Sequence, residues 1–352
     1  MPKQSTSQLD TDKSNMPYAF SLKTLVVIVL FLFGIYFLVP RLVGIPEVLK
    51  LILHVNKSYL IIGFIFEIIS YVGAAILLGL ILSTMGYKIK FFDRFKIGSI
   101  AAFAIHFFPV GSLGQGAVDY AFLRKRDVEA GSILLMWVLR IIISYTAFLI
   151  IFLVGLILLP TIPHLKLSPK LISLIIFAVL SFLAGYIIYL YRHKDQFRVF
   201  WNRFLRFFDS FLSKVRGRKV SQERESEIFE DIYRGIGLFG RKKRYSVYAV
   251  LAAAIFWLGD ITCFYFVFLS FGYHIHWGIL IFGYCISALL GMISFIPGGL
   301  GVTEGSMGLL FASLGVPSSL AIMSILVFRF FSFWIWIPFG FYSFVSLSRN
   351  KK

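Results

Sequence analysis

The chain has 352 residues, of which 59% are hydrophobic and only 15% charged, and its mean hydropathy is +0.84. Soluble domains carry about 25% charged residues, so the composition excludes an ordinary soluble fold and fits one polytopic membrane domain. The formal net charge of +18 comes from basic residues that avoid the apolar runs, which points to anionic lipid headgroups at a cytoplasmic face rather than to nucleic acid.

Residues 1–19 are polar and Ser/Thr-rich, the pattern of a disordered N-terminus. The run Leu25–Val39 has the length of a signal-peptide core, but Pro40-Arg41 follows in place of a small-residue cleavage site, so an uncleaved anchor is expected. A membrane span needs about 20 apolar residues. The segments 22–40, 58–83, 131–159, 171–191, 245–271 and 318–346 meet that length. Two further apolar stretches, 98–122 and 278–316, are interrupted by Pro and Gly.

With the N-terminus inside, the segments 1–23, 84–97, 123–130, 192–244 and 347–352 hold 28 of the 35 Lys and Arg residues. The opposite segments 40–57, 160–170, 272–277 and 312–317 hold 5, and the remaining two are Arg140 and Arg329. This asymmetry obeys the positive-inside rule only if both broken stretches enter and leave by the same side. The expected fold is therefore all-α and polytopic, with six full spans and two re-entrant helical hairpins in one transmembrane domain, 20–346. Units 58–159 and 245–346 form an inverted repeat. Both termini are expected on the cytoplasmic side of the cell membrane.

The two breaks are alike. The first contains Pro109, Gly111, Gly114 and Gln115; the second contains Pro297, Gly298, Gly299, Gly301 and Glu304. An apolar helix with one arginine follows each, and Arg140 lies as far beyond Gln115 as Arg329 lies beyond Glu304. Lipid cannot satisfy the backbone groups that Pro and Gly free, so such segments persist only when buried in protein or lining a polar cavity. Paired broken segments in two halves of a chain point to a transporter's binding site.

The loop 192–244 is the one sizeable soluble part. Phe200, Trp201, Phe204, Phe208 and Phe211 recur at helical spacing, with Arg203 and Arg206 between them, as in an amphipathic helix lying in the inner interface. Packing of that helix against other protein is the alternative. A more acidic helix near Glu223–Phe239 is expected to cover it.

Ionisable residues in hydrocarbon are costly and mark pathways. Glu67, Asp119, Arg140, Asp260, Glu304 and Arg329 are of this kind. Glu67, Arg140, Asp260, Glu304 and Arg329 are expected to converge near the midplane on a water-accessible cavity. The planar fork of arginine suits a phosphate, and the helix that starts near Thr303 points its N-terminal amides into the break. Simple pairing of each arginine with a carboxylate is the competing reading. No P-loop, HExxH or GxSxG motif is present, so no enzyme activity and no cofactor are expected. His106 reads as a packing residue, His274 and His276 as a loop pair without metal, and Cys263 and Cys285 as buried thiols outside any disulfide framework.

The stretch Pro297-Gly298-Gly299-Leu300-Gly301-Val302-Thr303-Glu304-Gly305, followed by Leu314-Gly315-Val316-Pro317, resembles the motif of the flippase-like membrane domain of bacterial lysylphosphatidylglycerol synthases. That domain also occurs as free-standing membrane proteins in bacteria and archaea. The segment from Pro109 through Leu123 to Arg124-Lys125-Arg126 resembles the family's first-half motif, with Gln115 where the family usually has an acid and Asp119 nearby. The resemblance covers about 20–346. It implies movement of a phospholipid or polyprenyl-linked lipid between leaflets, with homo-oligomers allowed. The aminoacyl-transfer domain of the synthases is expected to be absent, since the chain reads as ending at Arg349-Asn350-Lys351-Lys352, so the chain is not expected to make an aminoacylated lipid itself.

Overall fold

Ten helices, here α1 to α10, make up most of the regular structure among the described residues of a computed structural model. It describes residues 55–105, 111–159, 192–199, 202–203, 222–294 and 296–349, with isolated helical positions between 171 and 189, all inside the unit His54–Lys352. The predicted span 22–40 and the break residue Pro109 lie outside the described residues, as does most of 171–191. The helices are α1 (Lys57–Thr84), α2 (Phe91–Ile105), α3 (Gly111–Arg124), α4 (Ala130–Leu158), α5 (Gln222–Arg241), α6 (Lys243–Ser270), α7 (Trp277–Ile293), α8 (Val302–Ser313), α9 (Ser318–Arg329) and α10 (Trp336–Arg349). A 3-10 turn, Pro297–Gly299, joins α7 to α8, and a π turn, Phe330–Trp334, joins α9 to α10. The chain is thus an all-α polytopic membrane protein. Helices α1, α4, α6 and the continuous run Ser318–Arg349 are long and apolar enough to cross a bilayer.

The halves repeat. Helices α1 and α6 are equal in length, and α7 begins as far after α6 as α2 begins after α1. Tyr87 N–H donates to Leu82 O and Tyr273 N–H to Phe268 O, at 3.1 and 3.2 Å, past Gly86 and Gly272, both at positive φ. The underlying repeat is Gly86-Tyr87-Lys88-Ile89 against Gly272-Tyr273-His274-Ile275, a likeness the periodicity of apolar residues does not reveal.

The two units run in opposite directions. Helices α1 and α6 pack antiparallel, with Asn56 N–H on Ser270 O at 2.9 Å at one end and Gly73 against Ala252 O at the other. A Cβ on Gly73 would stand 2.8 Å from Ala252 O and Phe256 N; one on Gly259 would stand 2.9 Å from Phe66 O and 2.8 Å from Ser70 N. Each of these contacts in one unit has its counterpart in the other at the interval of the repeat, so the seam is two-fold symmetric. At its centre Ser70 donates to Phe256 O at 2.8 Å. Glu67 and Asp260 lie on the corresponding first helices of the two units but not at equivalent positions: the symmetry pairs Glu67 with Ala253 and Asp260 with Ala74.

Each broken stretch forms a helical hairpin, α2 against α3 and α7 against α8. The outer arm of each hairpin packs on the last helix of the other unit. Gly340 of α10 lies on Ser99 O and Phe103 of α2, and Gly155 of α4 lies on Ile281 and Phe282 of α7. Neither unit closes without the other. Buried aromatics fill the second half, with Phe264 stacked on Phe328 at 4.3 Å and edge-on to Phe311 at 5.6 Å. Ile61, Ile65, Ile150, Ile157, Val247 and Leu251 stay exposed, the apolar outer surface expected of helices solvated by lipid.

The π turn has a local cause. Pro338 has no N–H and its ring crowds the carbonyl four residues back, so the helix widens just before it and Ile335 N–H donates to Phe330 O at 3.1 Å.

Candidate functional site

The second break is a tight backbone fold. Gly298, Gly299 and Gly301 take φ values of 63°, 62° and 82°, a region in which a Cβ is strained. At Gly291, α7 passes so close to Thr303 and Gly299 that a side chain would overlap the Thr303 hydroxyl. Glu304 sits in the first turn of α8. One of its carboxylate oxygens accepts from Gly301 N–H at 2.7 Å, and the other takes Arg329 Nε at 2.5 Å. Arg329 Nη2 also donates to Gly298 O at 3.1 Å, and its guanidinium lies over the Phe333 ring at 5.5 Å. Arg329 therefore holds both sides of the break at once. The pair stays partly open, with side chains 12% and 20% exposed.

The first half builds the same clamp with other residues. Arg140 reaches back to Gln115, whose side-chain oxygen, in its better-satisfied orientation, accepts from Arg140 Nε at 3.2 Å and also from Nη2. A neutral amide cannot balance the guanidinium. Asp119, one turn further along α3, does so at 2.7 Å, fully buried. The equal spacing seen in the sequence is thus a contact in each half. Gly114 is buried in the first turn of α3, which starts at Gly111.

A third cluster lies in the α1–α6 seam. Glu67, 1% exposed, and Asp260 are in side-chain contact, with Cys263 and the Trp336 indole beside Glu67. Tyr284 of α7 donates to Asp260 Oδ2. Arg329 is close enough to Asp260 to interact electrostatically, which links this cluster to the second clamp. The five residues expected to converge therefore divide. Glu67, Asp260, Glu304 and Arg329 belong together, whereas Arg140 joins Gln115 and Asp119. Tyr284 and Trp336 were not singled out in the sequence, and Cys263 was read only as a buried thiol, because an aromatic or thiol in an apolar run looks the same whether or not it faces a carboxyl.

The amphipathic loop is partly described. Residues 194–199 are helical and packed on α5: Phe197 lies against Phe229 and Tyr233 at 5.4 and 6.2 Å, while Lys194 and Arg198 bind Glu230 at 2.8 and 2.5 Å. That start of the segment follows the protein-packing alternative. Arg203 is exposed. Phe200, Trp201, Phe204, Arg206, Phe208 and Phe211 lie outside the described residues. Helix α5 in turn packs on α4, with Gly235 against Leu135.

Two antiparallel units of membrane helices, each with a hairpin clamped by an arginine, define a polytopic membrane protein of inverted-repeat architecture. Comparison with known proteins places it further. The chain belongs to the family described as the lysylphosphatidylglycerol synthase TM region, whose pattern matches residues 21–340. It is 23% identical over 332 residues to a UPF0104 membrane protein of Methanocaldococcus jannaschii, covering 93% of this chain and 95% of that protein. It is 32% identical over 169 residues to a UPF0104 membrane protein of Methanothermobacter thermautotrophicus, of which the aligned stretch spans 49%. A phosphatidylglycerol lysyltransferase of Staphylococcus aureus is 33% identical over 91 residues, which are 26% of this chain and 11% of that protein.

Proposed function

We propose that this protein moves a phospholipid or another lipid-linked anionic molecule between leaflets of the cell membrane, as a flippase-like transporter without catalytic activity of its own. The observation that carries the reading is the paired clamp: in each of two antiparallel units an arginine reaches back, over the same length of chain, to the helix that follows the break. Inverted units with broken helices are the architecture on which alternating access is built. Arg329, partly open and already bound to a backbone carbonyl, has a fork suited to a phosphate. The N-terminal amides of α8 add to the attraction for an anion. Basic residues on the cytoplasmic side would hold anionic headgroups near the entrance.

One observation favours a second reading, a membrane scaffold for a lipid-modifying enzyme. A relative named phosphatidylglycerol lysyltransferase matches this chain over a short membrane segment. A small-anion carrier is the remaining alternative. Proteoliposomes containing the full chain and headgroup-labelled lipids, assayed leaflet by leaflet, separate the three. Faster exchange of an anionic phospholipid than in protein-free vesicles supports translocation. Equal rates for every lipid tested remove it, and uptake of inorganic phosphate in their place would favour the carrier.

A further inference from the structure

The α1–α6 seam holds a feature that the arginine clamps do not use. Glu67 and Asp260 face each other across the antiparallel pair, close enough for their side chains to interact, and one carboxyl oxygen of each, Glu67 Oε2 and Asp260 Oδ1, is buried without a hydrogen-bond partner. Ionised carboxylates only accept hydrogen bonds, so a bond between two carboxyls requires a proton on one of them. Gly63, Gly73 and Gly259 bring the two backbones together on both sides of the pair, so the groups cannot simply move apart. Two like charges side by side are not held together in a water-poor interior.

The groups that face the pair come from every packed element: Tyr71 on α1, Cys263 on α6, Tyr284 on α7, Arg329 on α9 and Trp336 on α10. Tyr284 donates to Asp260. The indole N–H of Trp336, a residue 3% exposed, is directed at the Glu67 carboxyl without completing a hydrogen bond of ordinary geometry. It is a donor held ready for a carboxylate that Glu67 becomes on losing a proton. Arg329 is shared already between Glu304 and Gly298 O.

We propose that Glu67 and Asp260 bind one exchangeable proton between them and form the ion-coupling site of the protein. The donor set favours a proton over a metal cation. Among the described residues no group of three or more His, Cys, Asp or Glu side chains could hold a metal. When the proton leaves to water, one O–H bond breaks and the pair gains one negative charge. That charge is drawn toward Arg329, where Asp260 then competes with Glu304 for the guanidinium. Proton occupancy thereby sets how firmly the second hairpin is clamped.

The coupling rests on the translocation reading; the proton site does not. The full chain, labelled with 13C-aspartate and 13C-glutamate and reconstituted in phospholipid vesicles, is titrated from mildly acidic to mildly alkaline pH while the carboxylic-acid carbonyl band is followed by infrared spectroscopy in H2O and D2O. We expect a titrating, deuterium-sensitive band that the double variant Glu67→Gln, Asp260→Asn loses. The conservative variant Glu67→Asp, which keeps a carboxyl one methylene short, should shift the band's frequency and midpoint. A wild-type protein with no such band, or a band unchanged in these variants, overturns the proton site. An imposed pH gradient should change wild-type lipid movement about tenfold, an ordinary coupling magnitude; movement that ignores the gradient overturns the coupling. A titrating band with no lipid movement at all keeps the proton site and removes the translocation reading.

Discussion

At position 115 the first half carries a neutral amide where the second half carries Glu304, and Asp119, one turn on, supplies the missing charge. The two clamps consequently differ in what they tolerate. Arg140 and Asp119 are buried, at 7% and 0% exposed, so removing one partner strands a charge. Arg140→Ala should lower unfolding free energy in detergent by about 3–5 kcal/mol, while Arg140→Gln with Asp119→Asn should cost much less. A double-mutant cycle read by denaturant or thermal unfolding checks this; equal losses for the single and double variants would show that the ion pair is not the cause. Arg329 and Glu304 are more open, so Arg329→Ala should leave a folded protein that has lost lipid movement. Arg329→Lys should restore it only in part, because a point charge cannot bind Glu304 and Gly298 O through a planar fork. Normal movement by Arg329→Ala would remove Arg329 from the pathway. The charged residues themselves were legible in the sequence, since each is too costly for lipid. Their grouping was not, because it depends on helix register: Glu67 meets Asp260 through antiparallel packing, not through equivalent places in the repeat.

Helices α1 and α6 touch along glycines, and that contact sets the tolerance of the whole seam. A Cβ at Gly259 would meet the backbone of Phe66 and Ser70 inside 3 Å, and backbone cannot step aside as a side chain can. Gly259→Leu should therefore destabilise by about 1–3 kcal/mol or more, the usual range for overpacking, whereas a leucine at Gly185, where nothing lies within 4 Å, should be nearly neutral. Melting temperatures in detergent test the contrast, and equal shifts at the two sites would refute it. Outside the membrane helices, the 194–199 segment is held to α5 by Glu230, whose carboxyl lies below the ordinary glutamate range because of its hydrogen bond to Lys194 and the charges of Lys194 and Arg198. A depressed carboxyl stabilises above the ordinary glutamate range, and the contribution disappears as pH falls through its lowered value. Protection of 194–199 against hydrogen exchange, relative to the intrinsic rate at each pH, should accordingly fall at acidic pH and at high salt, which screens exposed pairs; protection that is flat in both would mean that Phe197 against Phe229 and Tyr233 holds the segment unaided. The sequence pattern announced helices and breaks well, because apolar length and Pro/Gly interruption are local signals. It left the role of the segment around Phe197 open between lipid and protein, because an amphipathic face reads the same against lipid as against α5.

Across the molecule, opposite direction of the two units is the property on which alternating access depends, and the packing gives it directly. Helix α1 runs against α6, α2 against α10 and α4 against α7. An even more local sign was present in the sequence, the Gly86-Tyr87 pair repeated as Gly272-Tyr273, but two residues alone cannot be told from chance without the matching helix ends. Opposed units predict that the two hairpins open toward opposite sides of the bilayer. The count of basic residues predicts the first on the cytoplasmic side and the second on the outside. Single cysteines test this in intact and inverted vesicles with a membrane-impermeant thiol reagent. Ser112, in the first turn of α3, reports the first break. Ile296, 41% exposed beside Pro297, reports the second; Gly299 is unsuitable, because a side chain there would be strained at φ 62° and would press on Thr303. The native Cys263 and Cys285 are buried and supply little background. Ser112→Cys should label in inverted vesicles and Ile296→Cys in intact ones. Labelling of both from one side would contradict the antiparallel arrangement, and with it the translocation mechanism. Reversal of both sides together would preserve the arrangement and overturn the assignment of the basic loops to the cytoplasm.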